Sequence, residues 1–110
     1  MQPLWGQEAQ NVRKYRNKPT NGYASKRELN RAQELKLLLA AGEITELVEQ
    51  PVFLLIPKQT GERSCKYVGD FQYKENGVTI VEDAKGYRNP VYRIKRKLML
   101  QVHGIRVREV

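Results

Sequence analysis

The sequence predicts an α/β fold with the element order αβββαβ, a mixed four-stranded sheet flanked by two helices. Three observations carry that prediction: a capped amphipathic helix opening at Ser25, an Asn76-Gly77 turn between two strand-like runs, and an Asn89-Pro90 helix start followed by a final apolar run. The 110 residues suffice for one small domain and not for two.

Residues 1–23 differ from the rest. They are rich in Gln, Asn, Lys, Arg and Gly, with Arg13, Lys14, Arg16 and Lys18 closely spaced and little that could be buried. They read as a flexible basic N-terminal arm, and residues 24–110 as a single domain. In the first helix Ser25 and Glu28 have capping-box spacing, and Gly42 supplies the stop. At 100° per residue Glu28, Ala32, Leu35 and Leu39 form one stripe, flanked by Leu29 and Leu38, so Glu28 is an acid at the head of the buried face. A strand follows within Ile44–Ile56, with Pro51 marking a bend or an edge. Residues 57–63, containing Thr60-Gly61, form a turn. Cys65–Lys74 and Val78–Lys85 are the next two strands. In the second helix Val91, Ile94, Leu98 and Val102 make the expected apolar stripe. Gly104 ends that helix, and Ile105–Val110 is the last strand. The third strand, second helix and last strand form a βαβ unit, which predicts a parallel pair joined by a right-handed crossover.

Lys and Arg total 20 against 12 acids, giving a net charge of +8 and a pI near 9.8. That balance implies a polyanionic partner, either nucleic acid or an anionic membrane surface. No basic amphipathic stretch is long enough to lie on lipid, and no run approaches the ~20 apolar residues of a membrane span. The N-terminus lacks the apolar core of a signal peptide. The expectation is a soluble, cytoplasmic protein with no membrane partner. A single cysteine, Cys65, excludes an intrachain disulfide and a cysteine-built zinc site. There is no Walker-type glycine loop, no GxSxG and no His-rich metal motif.

The hairpin concentrates the chemistry. A two-residue loop at Asn76-Gly77 pairs Glu75 with Val78, Tyr73 with Ile80 and Phe71 with Glu82, and sets Asp70 opposite Asp83. Opposed side chains have Cβ atoms about 5 Å apart. Asp83 and Lys85 share a face, being two residues apart on a strand. A three-residue loop would instead bring Asp70 opposite Glu82, which replaces Asp83 if the register slips. Opposed carboxylates repel, and a divalent cation removes the conflict. Oxygen-only ligands suit magnesium or manganese. Lys85 beside such an ion can orient or help deprotonate the attacking water, or stabilise developing phosphate charge. Glu28 enters the same space if the first helix packs over that face; otherwise its role is the helix cap.

An acid on the first helix, an Asp on the second strand and Asp-x-Lys on the third resemble the PD-(D/E)xK nuclease superfamily, whose restriction-endonuclease-like core has the same αβββαβ order. From about Tyr15 the chain is similar to a group of small phage and prophage proteins assigned to that superfamily, on the segments KYRNKPT, SKRE…QELKLL, YVGDF, VEDAKG and KRKLM…GIRVREV. The resemblance implies that Asp70 and Asp83 bind metal, that Lys85 is the catalytic lysine and Glu28 the helix acid, and that the backbone carbonyl of Ala84 also ligates. It further implies a basic residue of the second helix near the site, for which Lys95 is the candidate. The chain departs from the superfamily in having Gly69 where its name has Pro, and Asp83 where Glu is common; neither change removes a required oxygen.

The second helix carries Arg93, Lys95, Arg96 and Lys97, with Arg93, Arg96 and Lys97 around a face open to phosphates. With the arm, this puts the charge excess at both ends of the chain and the acids between residues 43 and 83. His103 reads as a helix-end group, Trp5 as a stacking or docking residue, and Tyr67, Tyr73, Tyr87 and Tyr92 as packing residues. The expected function is a magnesium-dependent endonuclease hydrolysing phosphodiester bonds in DNA. So small a domain has little surface for reading base sequence, so branched or four-way-junction DNA from phage recombination or replication fits, cut by a homodimer in the host-cell cytoplasm. The alternative is a non-catalytic nucleic-acid-binding protein on the same fold.

Overall fold

The computed structural model describes residues 22–84 and 89–110. Helix α1 spans Lys26–Ala40, strands β1 to β5 span Thr45–Glu49, Val52–Ile56, Cys65–Val68, Phe71–Glu75 and Val78–Asp83, helix α2 spans Pro90–His103, and β6 is Arg108–Glu109. A four-stranded mixed sheet has the order β1-β4-β5-β6, and β2 pairs with β3 in a second, two-stranded sheet.

The α/β class, the mixed sheet and the two helices agree with the sequence, but the first two expected strands are each broken once. Pro51 separates β1 from β2, and Gly69-Asp70 separates β3 from β4. Gln50 adopts a left-handed φ of 54° beside the proline. The Gln50 N–H donates to the Asp70 carbonyl and the Gly69 N–H to the Pro51 carbonyl, both at 2.9 Å, so the antiparallel ribbon continues across its bend.

The hairpin register is the one a two-residue turn dictates. Phe71 pairs with Glu82, Tyr73 with Ile80 and Glu75 with Val78. Asn76 and Gly77 both have positive φ, 53° and 77°, as a type I′ turn requires. The last strand is shorter than Ile105–Val110 but runs parallel to β5, with Glu82 opposite Arg108 and Asp83 opposite Glu109.

Each helix covers one face of the sheet. Ala32 and Leu35 of α1 pack with Ile44, Phe71 and Tyr73, joined by the partly buried Leu38 and Ile80. On the other side Tyr92 and Met99 of α2 pack with Leu55, Tyr67, Val81 and Val107. The Ser25 hydroxyl accepts the Glu28 N–H at 3.1 Å, capping α1 as expected. Tyr23, at the expected end of the arm, packs against the α1 core, and its hydroxyl lies 3.2 Å from Lys36 Nζ. The rest of the arm, with Arg13, Lys14, Arg16, Lys18 and Trp5, lies outside the described residues apart from Gly22.

The apolar stripe expected on α2 is corrected. Val91, Ile94 and Val102 are 60%, 57% and 48% exposed, and only Leu98 of that set packs inward. The helix is turned so that its largest apolar side chains, Tyr92 and Met99, are buried instead. Tyr92 carries more area than a valine and can satisfy its hydroxyl, which donates to Glu109 Oε2 at 2.7 Å. Leu39 likewise leaves the stripe of α1, being 40% exposed. Among the described residues no helix is long and apolar enough to cross a membrane.

Candidate active site

Strand alternation sends the two adjacent acids of β5 in opposite directions. Val81 packs with α2 and Ile80 with α1, so Asp83 follows Val81 and Glu82 follows Ile80. Both carboxylates are buried, at 1% and 0% exposure.

Glu82 is neutralised inside the fold. Arg31 of α1 grips it with two hydrogen bonds, Nε to Oε1 at 2.7 Å and Nη2 to Oε2 at 2.6 Å, and the Tyr73 hydroxyl donates to Oε2 as well. Arg108 of β6 reaches the same Tyr73 oxygen at 3.2 Å. The bonds to Glu82 raise the Arg31 guanidinium further above its ordinary value, against the opposing pull of burial. A carboxylate so engaged ties α1, β4 and β5 together. In this register it stands on the opposite face from Asp83, so the exchange of Glu82 for Asp83 that a register slip would cause does not occur.

Asp83 lies on the α2 face, where the Tyr67 hydroxyl donates to its Oδ2 at 2.5 Å. Asp70 sits in the gap between β3 and β4. Its N–H continues the ladder by donating to the Glu82 carbonyl at 3.0 Å, and its Oδ2 accepts the N–H of Ala84 at 2.7 Å. The Asp70 carboxylate therefore lies against the backbone immediately after Asp83. The electrostatics agree: burial raises the Tyr67 phenol far above its ordinary value, and the charges of Asp83 and, more weakly, Asp70 raise it further. The buried hydroxyl thus stays neutral and donates to Asp83. Tyr92 is raised too, first by burial and its bond to Glu109, then by the Asp83 charge.

A glycine at position 69 has a physical reason here. Gly69 donates its N–H across the ribbon bend, a bond proline could not make. A Cβ at Gly69 would lie 3.1 Å from Val81 Cγ1 and 3.3 Å from Tyr67 Cε2, so its absence makes room for the tyrosine ring.

Glu28 is buried at the head of α1, as its stripe position requires. The helix that carries it packs Ala32 and Leu35 against the face of Phe71, Tyr73 and Ile80. Among the described residues no three His, Cys, Asp or Glu side chains form a group able to hold a metal ion. Lys85 lies outside the described residues, as do Tyr87 and Arg88. On α2, Arg93 and Lys97 are exposed and Lys95 is half-buried. Arg96 pairs with Glu109 at 3.1 Å and lies over the Tyr92 ring, so its charge is partly spent inside the protein. The ring nitrogen Nε2 of His103 donates to the Leu54 carbonyl at 2.7 Å, a structural tie between α2 and β2.

Two participants were missed from sequence. Tyr67 could have been found from its place three residues before Asp70 on a strand leading to the site. Arg31 could have been found by asking which cation meets the inward-facing acid adjacent to Asp83.

Residues 11–108 match a family described as a protein of unknown function, DUF1064. The chain belongs to the DUF1064 family. No curated protein and no solved structure matches it. The matched span includes every acid of the candidate site in this DUF1064 chain and the helix that carries Glu28.

Proposed function

We propose that this DUF1064 protein is a magnesium- or manganese-dependent endonuclease of the PD-(D/E)xK type that hydrolyses phosphodiester bonds in DNA. The observation that carries the reading is the convergence of Asp70, at the bend before β4, with Asp83 at the end of β5: the Tyr67 hydroxyl donates to Asp83, and the N–H of Ala84, the residue after Asp83, donates to Asp70. Glu82, by contrast, is bound by the Arg31 guanidinium on the other face.

The donor set fits a hard cation. Each aspartate commits Oδ2 to one hydrogen bond, and a carboxylate offers two oxygens with about four lone-pair sites. Two carboxylates and a backbone carbonyl, here that of Ala84, suit magnesium, which keeps several waters and uses few protein ligands. When bound, the ion would polarise a phosphoryl oxygen as a Lewis acid. Asp70 and Asp83 would hold that ion. Lys85, two residues beyond Asp83 in sequence, supplies the amine that orients water and steadies developing negative charge. Arg93 and Lys97, exposed on α2, and the basic arm supply phosphate contacts to DNA. The net charge of +8 accords with a polyanionic substrate. A domain of this size favours recognition of DNA shape, and branched or four-way DNA cut by a homodimer is the form we propose.

The test incubates the protein with plasmid, single-stranded, flapped and four-way DNA, in magnesium and in chelator. Magnesium-dependent cleavage that Asp70→Asn and Asp83→Asn each abolish, with DNA binding retained, is the expected result. Cleavage undiminished in both variants would discard the site. Salt-sensitive binding without cleavage of any substrate would establish the non-catalytic reading instead.

A further inference from the structure

We propose that Tyr67 is a positioning residue of the two-aspartate site, its hydroxyl fixing which oxygen of Asp83 is presented to a bound divalent cation. The inference rests on the reading of Asp70 and Asp83 as ion ligands.

Tyr67 is 2% exposed and sits in the core between the sheet and α2. A phenylalanine would fill that space equally well. The hydroxyl is the difference, and burying one without a partner is costly, so its bond is its justification. That bond goes to Asp83 Oδ2, at 2.5 Å. The terminal torsion of an aspartate is broad and roughly two-fold, so an unrestrained carboxylate swings between orientations. A donor clamped on one oxygen removes that freedom and commits the other oxygen to a fixed direction. Asp70 is held in the same manner, with the Ala84 N–H on its Oδ2 at 2.7 Å. Each acid thus has its Oδ2 held by a donor, one from a side chain and one from the backbone.

The ring itself is placed by its neighbours. The missing side chain at Gly69 leaves the ring edge close to the backbone, and Val81 packs in the same core. Groups that orient metal-ligating carboxylates typically contribute 10–100-fold in metal affinity.

The experiment compares wild type, Tyr67→Phe, Tyr73→Phe and Asp83→Asn, each without DNA, by manganese titration followed through the electron paramagnetic resonance signal of free Mn²⁺. All are measured well below the lowest melting temperature of the set, with circular dichroism confirming the fold. Tyr73→Phe is the decisive control, because it removes the hydroxyl of an equally buried tyrosine from the other acid, Glu82, on the opposite face. Tyr67→Phe should weaken manganese binding by about 10–100-fold while Tyr73→Phe leaves it unchanged. Equal affinity in Tyr67→Phe and wild type, with binding lost in Asp83→Asn, overturns the role of Tyr67 and leaves the site standing. Equal losses in both tyrosine variants reduce the effect to general stability and also overturn it. Absence of manganese binding by wild type overturns the underlying site and this inference together.

Discussion

Arg31→Ala is the sharpest test of the electrostatic arrangement around β5. Glu82 has no exposure to water, and the two bonds from Arg31, at 2.7 and 2.6 Å, supply its countercharge. Deleting the guanidinium leaves a fully buried carboxylate that keeps, among the described residues, the hydroxyl bond from Tyr73. Breaking a buried pair in this way costs about 3–5 kcal/mol. A chain of this length has a total stability of roughly 5–16 kcal/mol, so the loss is a large share of it. With a urea m-value of about 1.5 kcal/mol per molar, the unfolding midpoint should fall by about 2–3 M. Adding Glu82→Gln to Arg31→Ala removes the stranded charge and should recover more than half of the loss. Glu34→Ala, which deletes the exposed partner 3.7 Å from Arg31, should change stability by less than about 0.5 kcal/mol. A loss under about 1 kcal/mol in Arg31→Ala, or no recovery in the double variant, would refute the account of Glu82 as a structural acid.

Gly69→Ala should destabilise by about 1–3 kcal/mol, because the added Cβ meets Val81 and Tyr67 at 3.1 and 3.3 Å in a packed core; a urea midpoint equal to that of wild type would contradict the close packing. At alkaline pH, burial and the bond to Glu82 push Tyr73 up to about 12. A tyrosine whose folded value exceeds its unfolded value stabilises fully below the unfolded value near 10, and that stability drains as pH rises toward about 12. Urea midpoints measured from pH 9 to 12 should therefore fall less steeply in Tyr73→Phe than in wild type, and parallel declines would remove Tyr73 from the explanation.

Local signals made much of this fold legible in the sequence. Ser25, Asn89, Gly104 and the Asn76-Gly77 turn each act within a few residues, where capping and turn chemistry decide the conformation, and each stands where its chemistry puts it. The turn in turn set the hairpin register, and with it the placement of Asp70 and Asp83 on one face. What depended on packing between distant elements was less legible. The α2 stripe was mistaken because Val91, Ile94, Leu98 and Val102 repeat at helical spacing just as well as Tyr92 and Met99 do. Only packing against Tyr67, Leu55 and Val107 selects which set is buried. The ribbon break was half legible: Pro51 announced a bend, but its echo at Gly69-Asp70 on the partner strand required the pairing itself. The face chosen by α1 was illegible from that helix alone, since Glu28 and Arg31 are both acceptable next to a sheet until the acid that Arg31 meets is known.

Glu82 and Asp83 together explain why the register matters more than either residue. They are chemically near-identical, adjacent and both buried, yet each receives a tyrosine hydroxyl from a different strand and a different core. Glu82 is met by a guanidinium from α1; Asp83 has its Oδ2 met by a neutral phenol and shares its face with Asp70. A slip of one residue would turn Asp83 toward Arg31 and Glu82 toward Asp70, exchanging a satisfied ion pair for a shorter reach and setting a longer acid against the aspartate. The positive φ at Asn76 and Gly77 resists that slip at one end of the hairpin, and the Gly69 and Asp70 backbone bonds resist it at the other. The turn sequence at residues 76–77 and the bend at 69–70 are therefore as much a part of the candidate site as its carboxylates, because they decide which of two neighbouring acids faces Asp70.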